Sequence, residues 1–131
     1  MTTNTAGSQA RDYGKGMVHY IRKNVTYADN GVAKKVGTIP AGAQIIKPMS
    51  GVAVAVAFNA GSTNVLDIGT AATGDLYATD LALGAINFVP LDELVNMRVT
   101  VDTDIYATVQ LTGTAATAGD GEVVVAYVPN Y

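Results

Sequence analysis

Four carboxylates near the C-terminus have the spacing that a hard cation would use: Asp102 with Asp104, and Asp120 with Glu122, each pair two residues apart. Oxygen ligands so arranged suit calcium. No twelve-residue calcium loop follows, however, and Asp102-Thr103-Asp104 reads more simply as a hairpin turn between the last strands. A second chemical signature is Gly69-Thr70-Ala71-Ala72-Thr73-Gly74, which matches the glycine spacing of a phosphate-binding loop. Asp75 and Leu76 stand where that loop needs Lys and Ser or Thr, and a carboxylate there repels phosphate. Ser8, Ser50 and Ser62 are the serine nucleophiles on offer, and none lies in a G-x-S-x-G elbow. The single histidine, His19, has a carboxylate near it in sequence at Asp12 and reads as a surface or interface residue rather than a general base. Eleven carboxylates leave a glycosidase-type pair formally open, but no spacing selects one. The expectation is a protein that is not an enzyme and that holds no metal or cofactor.

Composition narrows the classes further. The chain has 131 residues, one ordinary domain, long enough to bury a true core. Cysteine is absent, which excludes disulfides, thiolate nucleophiles and Cys-based zinc sites. Hydrophobic residues make up 49% and charged residues 15% of the chain, so much of its surface must be uncharged. No apolar run approaches the ~18–20 residues that span a bilayer as a helix, so no membrane partner is expected. The N-terminal stretch has no apolar central region, so synthesis and use without a secretory signal is the expectation.

The elements that would position any site are short strands. Residues 1–16 are polar, aperiodic and rich in Gly, Ser and Thr, and read as a flexible arm that could reach ~50 Å when extended. Residues 17–131 read as one β domain. Met17 to Arg22 and Val25 to Tyr27 lead into Asn30-Gly31, a strong hairpin signal, with Val32 to Val36 as the returning strand. Pro40 and Gly42 mark a tight turn before Gln44 to Lys47. Gly51 to Phe58 alternates with period two, placing Val52, Val54, Val56 and Phe58 on one face and Ala53, Ala55 and Ala57 on the other. The valine face suits a core, and the alanine face suits close packing against a second layer or another subunit. Asn64 to Gly69 and Ile86 to Val89 read as strands, Asp75 to Leu83 as either helical turns or β, and Pro90 to Leu94 as a turn or a single helical turn. Met97 to Val101, Ile105 to Leu111 and Glu122 to Val128 are three further strands, the last two joined as a broad hairpin by a glycine-rich loop. That loop repeats Gly-Thr-Ala-Ala-Thr from Gly69–Thr73 at Gly113–Thr117, as a second small-residue loop at a sheet end. Many short strands with turn signals between them predict an all-β antiparallel sandwich, jelly-roll-like first and immunoglobulin-like second.

Charge is unevenly placed. Residues 1–50 carry Arg11, Lys15, Arg22, Lys23, Lys34, Lys35 and Lys47 against Asp12 and Asp29; residues 51–131 carry Arg98 against nine acids. Arg11, Lys15, Arg22 and Lys23 are therefore candidates for docking on an acidic partner, and Ala53, Ala55 and Ala57 for packing against a second layer or copy. The overall charge of -3 and the lack of a dense Lys/Arg stripe argue against nucleic acid.

The stretch Phe58-Asn59-Ala60-Gly61-Ser62-Thr63-Asn64-Val65-Leu66-Asp67-Ile68-Gly69-Thr70 resembles small virion proteins of tailed bacteriophages. The resemblance extends over Ile39 to Ile45 and Val109 to Gly119, and its order spans residues 37–128. It implies a β-sandwich head decoration, or cement, protein on the capsid exterior, often trimeric, with the major capsid protein as partner and no catalytic residues to carry over. Head-fibre and tail accessory proteins reuse similar sandwiches. A host-adhesion carbohydrate-binding module is the alternative from a different class, weakened by the absence of Trp.

Overall fold

The computed structural model describes residues 17–129. The predicted arm at 1–16, with Arg11 and Lys15, lies outside the described residues. Nine strands are present among them: β1 (His19–Thr26), β2 (Ala33–Ile39), β3 (Gln44–Ile45), β4 (Gly51–Val56), β5 (Thr63–Gly69), β6 (Ala78–Ala82), β7 (Asn87–Pro90), β8 (Thr103–Thr112) and β9 (Asp120–Val128). They form two antiparallel sheets that pack face to face, in the orders β1-β9-β4-β7 and β2-β8-β5-β6, with β3 also pairing β9. Short 3₁₀ turns occupy Tyr27–Asp29 and Lys47–Met49.

Setting the two-residue β3 aside, the first strand pairs with the eighth (β1·β9), the second with the seventh (β2·β8), the third with the sixth (β4·β7) and the fourth with the fifth (β5·β6). This nested pairing, wrapped into two layers, is a jelly roll. The core fills the space between the layers, with Val25, Val52, Val123 and Val125 from one sheet meeting Ile39, Leu66, Ile68, Ile105 and Val109 from the other.

Nested pairing explains where local signals point to the wrong neighbour. Asn30-Gly31 does not close a hairpin; β1 and β2 belong to different sheets. A two-residue type I′ hairpin needs positive φ at both central residues. Asn30 instead has φ −52° and ψ 124°, Gly31 has φ 78°, and the Val32 N–H donates to the Asp29 carbonyl at 3.0 Å. These values fit a type II turn, which turns the chain over an edge of the sandwich. The Asn30 side chain pins that corner to β8, accepting from the Leu111 N–H at 2.8 Å and donating to its carbonyl at 3.1 Å.

The broad hairpin predicted between the last two strands fails for the same reason. β8 and β9 lie in opposite sheets, and residues 113–119 cross between them. Asp75 to Leu83 resolves as β, with β6 at its centre. Residues 97–101 are not a strand and make an isolated bridge, Arg98 with Gln44, while Met97 and Val99 point into the core. The predicted turn at 102–104 is therefore no hairpin, and Pro90 ends β7 without a helical turn after it. In β4 a register shift between Val54 and Val56 breaks the predicted alternation. Val52 and Val54 are buried, Val56 turns outward to 45% exposure, and Phe58 returns to the core.

Candidate functional site

The outer face of the β1-β9-β4-β7 sheet has no second layer over much of its area. Register gives its rows directly: Arg22, Val124, Gly51 and Pro90 lie across the four strands, and beside them Asn24, Glu122, Ala53 and Phe88. Of the two middle strands, β4 thus presents small side chains, Gly51 and Ala53, while β9 presents Val124 and Glu122. Gly51 lets β7 approach closely, since a Cβ there would collide with the Val89 carbonyl of that strand. Ala53 and Ala55 are exposed and Ala57 half-buried, so within the single chain the alanine face meets no second layer. Apolar rims remain exposed around it, Tyr20 on β1 and Phe88 on β7.

Arg22 and Lys23 are adjacent on β1 and so leave opposite faces of the sheet. Arg22 lies 3.7 Å from Glu122 and over the Tyr20 ring at 5.9 Å, on the outer face. Lys23 shares the inward side with Val123 but is exposed at the open edge of the sandwich. His19, exposed, stacks on Tyr127 with ring centroids 5.8 Å apart.

The two lateral edges differ in their electrostatics. Along β1/β2 the acids meet cations: Lys34 lies 3.0 Å from Asp29, and Lys35 lies 3.3 Å from Asp104. Burial pushes the Asp29 carboxyl up, but the Thr26 N–H and the Lys34 ammonium outweigh it and leave its pKa below the ordinary value. Hydrogen bonds from Thr38 and Lys35 likewise lower that of Asp104. Along β6/β7 lie Asp75, Asp80, Asp92 and Glu93, and no ion pair among the described residues involves any of them. The segment after β7 runs along β6, with Asp92 accepting from the Thr79 N–H at 3.0 Å and the Glu93 N–H donating to the Tyr77 carbonyl at 3.3 Å.

Beside this edge sits Asp67, a residue that carries no signal in the sequence beyond being one acid inside a strand. It is nearly buried, and accepts from the Asp80 N–H at 2.8 Å and the Gln110 amide at 2.5 Å. Burial raises its pKa, the Asp80 N–H opposes that, and the Asp80 and Asp75 carboxylates add to it. Asp80 itself adopts φ 56°, uncommon for a non-glycine residue. Asp67 fills the register shift between Leu66 and Ile68 that re-aims β6.

The chemical motifs of the sequence do not converge. Asp104 and Asp120/Glu122 lie in different sheets, and Asp102 accepts from the Ala41 N–H at 2.9 Å. The two Gly-Thr-Ala-Ala-Thr loops leave the ends of antiparallel neighbours β5 and β8, and so sit at opposite ends of their sheet. Ser50 is fully buried, donating to the Ile46 carbonyl at 2.8 Å and accepting from the Ala126 N–H at 2.9 Å, so its hydroxyl fastens β9. A groove of about 240 Å³ opens between Tyr27, Asn30 and the loop 112–116, but the Asn30 amide in its wall is already committed to Leu111.

No protein-family model matches this chain, and no curated protein matches it. Among solved structures it matches a chain of the cyanophage Pam1 capsid asymmetric unit, with a TM-score of 0.62 and 20% sequence identity over 86% of each chain. The two chains share a fold.

Proposed function

We propose that this protein is a structural, non-enzymatic virion component that binds the exterior of a tailed-phage capsid as a decoration or cement protein. Its partners in this reading are the major capsid protein and further copies of itself, as a homotrimer. The observation that carries it is the fold shared with a chain of a phage capsid asymmetric unit. Physical features support it. The small outward residues of β4, Ala53 and Ala55, permit close approach of a partner there, and exposed Tyr20 and Phe88 on the flanking strands suit anchoring, as aromatic side chains do at interfaces. Arg11 and Lys15 are proposed to add shell contacts, and Arg22 and Lys23, on β1, to meet an acidic partner surface. Exposed pairs contribute only about 0–1 kcal/mol each. Repeated across an oligomer they gain through effective concentration.

The test is rebinding to particles stripped of this protein, by the intact chain and by one lacking residues 2–16, across a salt series. The reading expects a copy number set by capsid symmetry, weaker attachment of the truncated form, and attachment that declines with salt. Absence from purified particles would overturn it. Selective binding on a glycan array with no particle binding would favour an adhesion module instead.

A further inference from the structure

We infer that copies of this chain associate edge to edge, the acidic β6/β7 edge of one copy seated on the β1 edge of the next. This deepens the self-association proposed above, and rests on it, by naming the two surfaces and the forces between them. The topology puts β1 over β2 at one side of the sandwich and β6 beside β7 at the other, so the two surfaces lie on opposite sides of one chain. Such a contact is heterologous: every copy offers both halves, and repetition closes a ring when the rotation permits.

Part of each edge is closed to strand addition. At β1, the Asn24 carbonyl already accepts from the Lys34 ammonium at 3.0 Å. At β6, the Thr79 N–H and the Tyr77 carbonyl are taken by Asp92 and Glu93. Each edge also offers side chains, and these are complementary. Asp75, Asp80, Asp92 and Glu93 have no cation partner among the described residues. Lys47, the nearest candidate, donates to the Glu93 backbone carbonyl at 2.9 Å rather than to its carboxylate. On the other edge Lys23 is exposed and makes no ion pair among the described residues, and Arg22, 61% exposed, holds Glu122 only loosely. Apolar groups stand beside both charge sets: Tyr20 on β1, and Ile86 and Leu94, 73% and 93% exposed, flanking β7. A second copy therefore neutralises uncompensated acids and covers apolar surface in one contact.

The test is a charge-reversal cycle read by analytical ultracentrifugation of the full-length chain. Asp75→Lys with Glu93→Lys touches no side-chain hydrogen bond among the described residues and should raise the dissociation constant of self-association about tenfold or more. Lys23→Glu should weaken the parent chain but strengthen the doubly reversed one, a change of sign that a structural effect does not produce. Raising salt to 1 M, where the screening length is about 3 Å, should weaken the parent in the same direction. Lys23→Glu weakening both backgrounds equally, or association indifferent to salt and to all three substitutions, would overturn the edge assignment while leaving self-association standing. A chain that stays monomeric in low salt and when bound to particles would remove both.

Discussion

The β1/β2 edge and the β6/β7 edge close the same sandwich by different means. At β1/β2 the carboxylates are satisfied from within: Asp29 accepts from the Thr26 N–H at 2.8 Å and from Lys34, and Asp104 accepts from Thr38 at 2.6 Å and pairs with Lys35. At β6/β7 Asp92 and the Glu93 N–H occupy the Thr79 N–H and the Tyr77 carbonyl, but the four acids have no cation partner among the described residues. An edge that fills its hydrogen bonds with charged side chains of both signs is finished within one chain. The other is covered in part of its backbone and carries excess charge to its surroundings. The difference shows that blocking strand addition and balancing charge are separate problems, and that a protein can address the first without the second.

The core between the edges sets the scale. Val54→Asp would bury an unpaired carboxylate beside Val52 and Val123, at a cost of several kcal/mol against a total of about 5–15 for a small domain. Insoluble or unfolded protein is expected, and a circular-dichroism melt matching the parent's would contradict the inward assignment. Next in size, Asp29→Ala removes the acceptor for the Thr26 N–H and the partner of Lys34 at the corner between sheets. Urea unfolding at neutral pH should show a loss of about 1–2 kcal/mol, in the range of other cap deletions.

The two edges should also respond to acid with opposite sign. Asp29, with its pKa lowered on folding, contributes stability that is present above the ordinary carboxylate value of 3.8 and lost as pH falls through its folded value. The cost of Asp29→Ala should therefore shrink toward pH 3. Asp67, with its pKa raised on folding, does the reverse: stability declines as pH climbs from 3.8 through its folded value, because the folded state holds the proton longer. Asp67→Asn should remove that decline, giving a small gain at neutral pH and little change in strong acid, provided the Gln110 amide turns to present its oxygen. A pH series of denaturation midpoints showing the same slope in Asp67→Asn as in the parent would contradict it.

The smallest effect belongs to the acids of the β6/β7 edge that make no side-chain hydrogen bond among the described residues, exposed Asp75 and half-buried Glu93. Asp75→Asn with Glu93→Gln should leave the single chain's stability within about 0.5 kcal/mol, as is usual for surface substitutions. A loss beyond 1 kcal/mol in urea would mean that these carboxylates have partners within the chain.

Much of the local structure was legible in the residues. Strand-forming runs, the inward Val52 and Val54, the turn at Ala41-Gly42 and the outward Ala53 and Ala55 all follow from period-two alternation and turn chemistry, because those signals act over a few residues. The jelly-roll class was likewise reachable from many short strands without convincing helix. Asp67 was not, because an acid within an apolar strand looks the same whether it faces solvent or fills a register shift in a sheet.

Pairing was the part that sequence left to the tertiary structure. Asn30-Gly31 specifies a reversal but not which strand the chain meets afterwards; that depends on the core contacts of Val25 and Ile39 in opposing sheets, and on Asn30 bonding Leu111, 81 residues away. Nested pairing joins the first strand to the last, a contact whose energy comes from layers that exist only once both sheets are in place. The same step decided the charges. Composition supplied an excess of acid after residue 50, but only the placement of β2 beside β1, and of β6 beside β7, gave Lys34 and Lys35 to one edge and left Asp75, Asp80, Asp92 and Glu93 unpaired among the described residues on the other.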